Sequence, residues 1–266
     1  MKKTVNKTVN KAATTQNSLE RALELLGILN RTTTAMNVAE ISKVLGVTRI
    51  TANTMLQTLM QHSFVEKDES TGKYVIGYRM YEMAMFYRHR YSFLYVAEKH
   101  VNEMSDRWRV KVNVGVLKSP GVVVVLLSRD ASAIPRMIMG HAMPAYATAS
   151  GKLLMAYEPR DKIEEWLSRT ERVSYTPFTT VDLPTLCRQM DSALEQGYAL
   201  EQEELTFQRS CVASPIRDFS GRVIASVSFS SGKDFLEENF AALTEDIVLL
   251  GKMISYDLGY TPIVLP

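Results

Sequence analysis

VAEISKVLGVTRITANTMLQTLMQHSFVEKDESTGKYVIG, residues 38–77, decides how the rest of the chain is read. Two short amphipathic helices flank a glycine turn, and two apolar runs around a polar turn come after them. Asn37 stands where it can cap the helix VAEISKVL, with Val38, Ile41, Val44 and Leu45 inward. Gly46 ends that helix, because glycine takes left-handed backbone without a steric cost. Thr48 can cap the next helix, RITANTMLQTLMQH, whose buried face is Ala52, Met55, Leu56 and Leu59. FVEKD and KYVIG, on either side of ESTG, read as a two-stranded hairpin. Upstream, SLERALELLGILN puts Leu19, Ala22, Leu23, Leu26 and Leu29 at helical spacing behind a cap at Ser18. Helix, helix, tight turn, helix, hairpin is the order of a winged helix-turn-helix, here over 17–77.

That order carries a chemical expectation. The second helix of such a motif lies in the major groove, where base edges can be told apart. Its outward side here offers Thr48, Arg49, Ile50, Thr51, Asn53, Thr54 and Gln57. Arg49 can direct two donors at guanine, Asn53 or Gln57 can meet adenine, and Ile50 or a threonine methyl can meet thymine. The hydroxyls and Lys43 suit phosphates, and Lys73 and Ser70 in the hairpin can reach the neighbouring backbone or the minor groove. The competing reading is a three-helix fold used only for protein contact. Surface helices are commonly polar, so the order of elements weighs more than any one side chain.

Charge does not carry the argument. Across 266 residues, 31 Lys and Arg stand against 29 Asp and Glu, a net +2. The first sixteen residues are one-sided, with Lys2, Lys3, Lys7 and Lys11 and no acid, whereas 17–75 balance. They read as a flexible basic tail, either solubilising or touching phosphates. This N-terminus has no apolar core, so a secretory signal is not expected. No apolar run nears the roughly 20 residues that span a bilayer, so no membrane partner is expected. Cys187 and Cys211 are too few for a disulfide framework, and a reducing cytoplasm is the expected location.

Beyond the hairpin, YRMYEMAMFYRHRYS (78–92) is dense in aromatic residues and methionine. It reads as a linker helix and candidate dimer surface, or equally as a core helix of the second domain. From 93 to 260 the pattern turns mixed. FLYVAEKHVNEMSDRW is a helix; VKVNVGVLKS and GVVVVLLSR are strands around a Pro-Gly turn; IPRMIMG is a third strand. AYATASGKLLMAY, PRDKIEEWLSRT and LPTLCRQMDSALEQG are helical, the last ending at Gly197. YALEQ, SCVASPIRD and RVIASVSFS are strands, and DFLEENFAALTEDIVLLGKMISYDLGY is one long amphipathic helix. Antiparallel hairpins with helices on their faces indicate an α+β sensor domain.

Three stretches resemble the IclR family of bacterial transcriptional regulators: the winged segment, MPAYATASGKLLMAY, and GYALEQEELTFQRSCVASPIRDFSGRVIASVSFS. The last two are similar to that family's P-x-H-A-T-A-x-G-K-A-L-L-A stretch and its G-Y-A-x-D-x-E-E, C-x-A-A-P and D-x-x-G-x-x-x-A-x-x-S-x-S sequence. The resemblance implies a GAF-like effector-binding domain and a regulator of transcription bound to a double-stranded DNA operator. It also implies a small organic acid, aromatic metabolite or sugar acid as effector, and homodimers that pair into tetramers. By position it implies a pocket of Ala149, Ser150, Glu201, Cys211, Ser228 and Ser230. Helix N-terminal amides and serine hydroxyls suit a carboxylate. The chain departs from the pattern at Tyr146 for histidine, Glu201 for aspartate, Gln208 for glycine and Ser214 for alanine. In the recognition helix, Ile50 replaces a frequent serine and Thr54 a frequent arginine. Met137, Met139 and Met143 suggest an adaptable apolar wall or core packing.

The competing class is a GAF-fold enzyme with an accessory DNA-binding head, for example a sulfoxide reductase acting through Cys211. A catalytic cysteine needs a base or a positive field, and SCVASP is apolar with no histidine near in sequence; His141 is the one that can approach in space. SGK at 150–152 lacks the spacing of a phosphate loop, and Leu153 comes next where serine or threonine is needed. His62, His89, His100 and His141 have no metal-ligand spacing. No catalytic residue, cofactor or metal is expected. Glu203 and Glu204 read as solvated or structural.

Overall fold

The computed structural model describes residues 17–31, 35–90, 92–118, 121–129 and 139–261, with only the backbone for Arg31 and 87–90. The chain divides into two compact units between residues 91 and 92. The tail 1–16, Met137, and residues 119 and 120 of the Pro-Gly turn lie outside the described residues.

The first unit runs α1 (Ser18–Arg31), α2 (Val38–Leu45), α3 (Arg49–Gln61), β1 (Val65–Lys67), β2 (Tyr74–Ile76) and α4 (Tyr78–Arg90). Its caps are side-chain chemistry. Asn37 accepts from the Ala39 and Glu40 amides while Glu40 accepts from the Asn37 amide, a reciprocal box. Gly46 closes α2 at φ 64°, and the Ser42 hydroxyl donates to the Val47 carbonyl at 2.8 Å, fixing the turn. Thr48 accepts from the Thr51 amide at 3.1 Å and starts α3. β1 and β2 pair antiparallel, Val65 opposite Ile76. Leu25, Leu29, Ile41, Leu45, Ala52, Leu56, Val65 and Tyr74 form the core.

Three expectations for this unit are corrected. Asn17 rather than Ser18 caps α1, in a second reciprocal box with Glu20. Leu25 fills the core, whereas Leu19 and Leu23 are 66% and 60% exposed, so the buried stripe is rotated from the expected one. Val44 is exposed too, because Ile41 and Leu45 already occupy the inward face of the two-turn helix.

The second unit contains α5 (Phe93–Trp108), β3 (Lys111–Lys118), β4 (Gly121–Leu127) and β5 (Ala142–Pro144). A 3-10 turn (Ala145–Ala147), α6 (Ala149–Ala156), α7 (Arg160–Arg169) and α8 (Leu183–Gln196) come next. β6 (Ala199–Gln202), β7 (Arg209–Arg217), β8 (Val223–Gly232), α9 (Lys233–Glu238) and α10 (Phe240–Asp257) complete it. The six strands form one antiparallel sheet in the order β5-β4-β3-β8-β7-β6. Side chains alternate across it. Val112, Val114, Val212, Val227 and Phe229 are buried on the side of α5 and α10. Asn113, Gly115, Cys211, Ser228 and Ser230 belong to the side covered by α6.

Two element expectations change here. IPRMIMG lies largely outside the described residues; its end, Met139-Gly140, is a turn, and the strand is Ala142–Pro144. The long final helix is two helices broken at Asn239, which takes φ −111° and ψ 16° and donates its side-chain amide to the Phe235 carbonyl at 2.9 Å. That local bond competes with continuing the helix.

Candidate functional site

The outward side of α3 is open. Thr48, Arg49, Ile50, Asn53, Thr54 and Gln57 are exposed, Ile50 by 81%, and Thr51 is partly covered. The threonine hydroxyls are engaged locally: Thr48 with Thr51 at 2.9 Å, and Thr54 donating to the Ile50 carbonyl at 3.1 Å. Thr54 therefore presents its methyl and lone pairs rather than a free donor. Arg49, Asn53 and Gln57 make no side-chain bond among the described residues. Their donors and acceptors are available to a base edge. Lys43 is exposed in the last turn of α2; Lys73 is partly covered at the end of the hairpin turn. That turn is tied by Asp68, whose carboxylate accepts from Ser70 and Thr71 and is held down at about 2 by those bonds. The Ser70 hydroxyl is bound in this turn and is not free for phosphate.

In the second unit, Ala149, Ser150, Glu201, Cys211, Ser228 and Ser230 line one cavity of about 270 Å³. Strand register brings them together. Glu201 pairs with Cys211, Cys211 with Ser230, and Ser230 with Lys111, a row across four strands. Ser228 pairs with Asn113 in the next row. α6 lies above, capped by Thr148, which accepts from the Gly151 amide at 3.1 Å. Ala149 and Ser150, the first two residues of α6, line the cavity, and their amides have no carbonyl one turn back within the helix. Gly151 permits this placement, since a Cβ there would stand 2.1 Å from the Ala145 carbonyl oxygen. The glycine of SGK thus serves close packing.

The cavity also contains residues that sequence reasoning missed: Asn113, Thr148, Tyr175, Leu205, Thr206 and Arg209. Asn113 had a readable signal, a lone amide in the apolar strand VKVNVGVL. Arg209 had none. Of the methionines, Met143 lines the cavity and Met139 is exposed outside it.

Burial dominates the electrostatics. Glu201 is pushed up to about 7 chiefly by burial, although the Leu205 and Glu204 amides donate to its carboxyl at 3.2 and 2.5 Å. Burial and the neighbouring Glu201 push the Cys211 thiol up, and it donates to Ser230 Oγ at 3.3 Å. A thiol held protonated is a poor nucleophile, and His141 is exposed and does not line the cavity.

Glu203 and Glu204 are each 4% exposed, so the solvated alternative for them is wrong; both are structural. Glu203 pairs with Lys233 at 2.9 Å, and Glu204 forms an ion pair with buried Lys152. Their carbonyls accept from Thr176 and Thr179, each at 2.6 Å. These bonds fasten the 172–180 segment, which carries the cavity residue Tyr175 stacked on Tyr146. Tyr146 donates to the Val173 carbonyl and accepts from its amide, and burial raises it to about 12. Among the described residues no three His, Cys, Asp or Glu side chains are grouped to share a metal ion, and no helix is long and apolar enough to cross a membrane.

A helix-turn-helix with an open recognition helix, joined to an antiparallel α+β unit around a small cavity, defines a DNA-binding regulator with a ligand-type domain. The chain belongs to the IclR family: residues 85–256 match the bacterial transcriptional regulator IclR C-terminal region, and residues 18–69 match the IclR helix-turn-helix domain. It is 29% identical to the HTH-type transcriptional regulator XynR of Escherichia coli K12, over 91% of this chain and 97% of that one. It is 30% identical to the HTH-type transcriptional repressor AllR of Salmonella typhimurium, over 92% and 91%. The Thermotoga maritima IclR structure superposes with TM-score 0.77 at 27% identity, covering 92% of this chain and 99% of that one. An IclR homologue of Microbacterium hydrocarbonoxydans, solved with 4-hydroxybenzoate, shares the fold at TM-score 0.80 and 23% identity, covering 91% and 99%. The protein is a DNA-binding transcriptional regulator of the IclR type.

Proposed function

We propose that this regulator controls transcription in response to a small organic acid held in the α6 cavity, and that it is not an enzyme. The observation that carries the reading is the meeting, in one small cavity, of the first two residues of helix α6, six hydroxyl side chains and an arginine. This lining suits an anion with hydroxyl groups. Ala149, Ser150, Glu201, Cys211, Ser228 and Ser230 are its effector residues. The recognition helix contributes Thr48, Arg49, Ile50, Thr51, Asn53, Thr54 and Gln57 to an operator, with Lys43 and Lys73 on phosphates. The domains are 17–77 for DNA, 78–92 as linker and 93–260 for the effector, in a cytoplasmic protein.

The protein acts as a homodimer, able to pair into a tetramer. Exposed Tyr78, Tyr81, Met83 and Phe86 on α4 supply apolar surface for a second copy. An effector alters operator affinity only by binding one arrangement of the dimer better than another, with 78–92 as the connection. The test is enrichment of a binding sequence from a random duplex library, then titration of that duplex with and without acids that raise thermal stability. A near-palindromic site released or tightened by one acid is expected. A duplex whose affinity no stabilising acid changes would overturn the effector reading.

A further inference from the structure

The polar groups of the cavity lie at its two ends. At one end are the first amides of α6; Ser150 Cβ stands 3.8 Å from where a Cβ of Gly115 would be, which puts it over the Gly115–Ser226 pair. At the other end is the Lys111–Ser230–Cys211 row, with Arg209 turned into it: Arg209 Nη2 donates to Ser230 Oγ at 3.5 Å. Arg209 is partly buried, lines the cavity and makes no salt bridge among the described residues. Lys111 is 4% exposed, and its ammonium is pulled down first by burial and then by the nearby Arg209 guanidinium. A partly dehydrated arginine that lines a cavity and has no carboxylate partner among the described residues suits an anion. Between the ends lies Asn113, 2% exposed, whose Oδ1 has no hydrogen-bond partner and which lines the cavity. An orphaned buried acceptor calls for a donor from the occupant.

We infer that the cavity takes a hydroxylated acid with a second anionic group, one anion on the Ala149 and Ser150 amides and the other on Arg209. This rests on the effector reading and names the chemical class of its ligand. From the Ser226 row to the Ser230 row is four residues, roughly 13 Å along the strand. A hydrogen bond of about 2.9 Å at each end leaves about 7 Å between the ligand's outer oxygens. That is the length of an extended acid with several carbons between two charged groups. Hydroxyls along it meet Asn113 as donors and Glu201 and Ser228 as donors or acceptors. The far anion is a carboxylate or a phosphate; Arg209 binds either bidentately.

Gluconate, glucarate and 6-phosphogluconate share one carbon chain and differ only at the far end, so they separate these cases. Calorimetric titration of the full-length protein should show glucarate or 6-phosphogluconate binding about tenfold or more tighter than gluconate. The tighter of the two identifies the far anion. Arg209→Gln should remove the preference by weakening the dianions about tenfold more than gluconate, and Arg209→Lys should keep part of it. If gluconate or 4-hydroxybenzoate binds and the dianions bind no tighter, the cavity is an effector site and the Arg209 assignment is wrong. The assignment also fails if Arg209→Gln keeps the preference. If none of the four compounds binds, the dianion assignment falls, while the effector reading stands or falls separately with the acid screen on operator affinity.

Discussion

Lys152 and Glu204 form an ion pair that water does not reach: their side chains are 1% and 6% exposed. The pair ties α6, whose N-terminus opens on the cavity, to the loop that carries Leu205 and Thr206. The other oxygen of Glu204 accepts from the Thr180 amide at 3.2 Å. Removing one partner strands a buried charge, at about 3–5 kcal/mol. Lys152→Met should destabilise the second unit by about that much, and Lys152→Met with Glu204→Leu should recover most of it. Trp108 and Trp166 both lie in this unit, so urea unfolding monitored by tryptophan fluorescence reads it directly. Equal losses in the single and double variants would mean that the pair contributes nothing beyond packing.

Glu201 predicts a pH dependence. Burial raises its folded pKa to about 7, above the value of the unfolded chain. The stabilising contribution of the protonated form is therefore fully present below about 4.5 and is lost as pH rises through 7, by about 3 kcal/mol in all. Glu201→Gln should flatten this part of the stability profile. Acid binding should track the same group: wild type should bind gluconate or glucarate more tightly at pH 6 than at pH 8, and the variant should not. A pH-independent affinity in wild type would separate Glu201 from the ligand.

Gln208 sits at φ 58°, a left-handed conformation that glycine takes without strain, and its amide donates to Glu203 at 2.9 Å. Gln208→Gly should be neutral or stabilising by about 0.5 kcal/mol, the relief of strain being partly offset by the freer unfolded chain. Gln208→Val should lose about 1–2 kcal/mol, because β-branching worsens the clash. Melting temperatures of the three proteins check the order Gly, Gln, Val; valine matching glutamine would refute the strain.

Arg49→Ala should weaken operator binding by about 1–3 kcal/mol and relax discrimination at one base pair. Acid binding in the second unit should not change. Anisotropy titration with the selected duplex and with variants at each position reads both effects. Uniform weakening on every sequence would make Arg49 a phosphate contact instead.

The helix-turn-helix was legible because its punctuation is local. Asn37, Gly46 and Thr48 each act on residues within one turn, and each occupies the expected place. Helix phase was harder. SLERALELLGILN has leucine on two stripes, and only tertiary packing chooses Leu25 over Leu19 and Leu23. The cavity could be reached by family likeness at six positions. Arg209 could not be, because a lone arginine at a strand start has no periodicity to betray it. Glu203 and Glu204 misled for a related reason: adjacent acids normally mean solvent, but their partners, Lys233 and Lys152, are 30 and 52 residues away along the chain.

The alternation along β3, β7 and β8 separates two jobs within single strands. Positions 112, 114, 212, 227 and 229 keep the sheet on α5 and α10, while 111, 113, 211, 228 and 230 face the ligand side. A change of ligand chemistry can therefore accumulate one substitution at a time on the second set without loosening the first. The strands act as a fixed rack with exchangeable pegs, so chains with the same fold can line this cavity differently, and fold similarity alone is a poor guide to what the cavity holds.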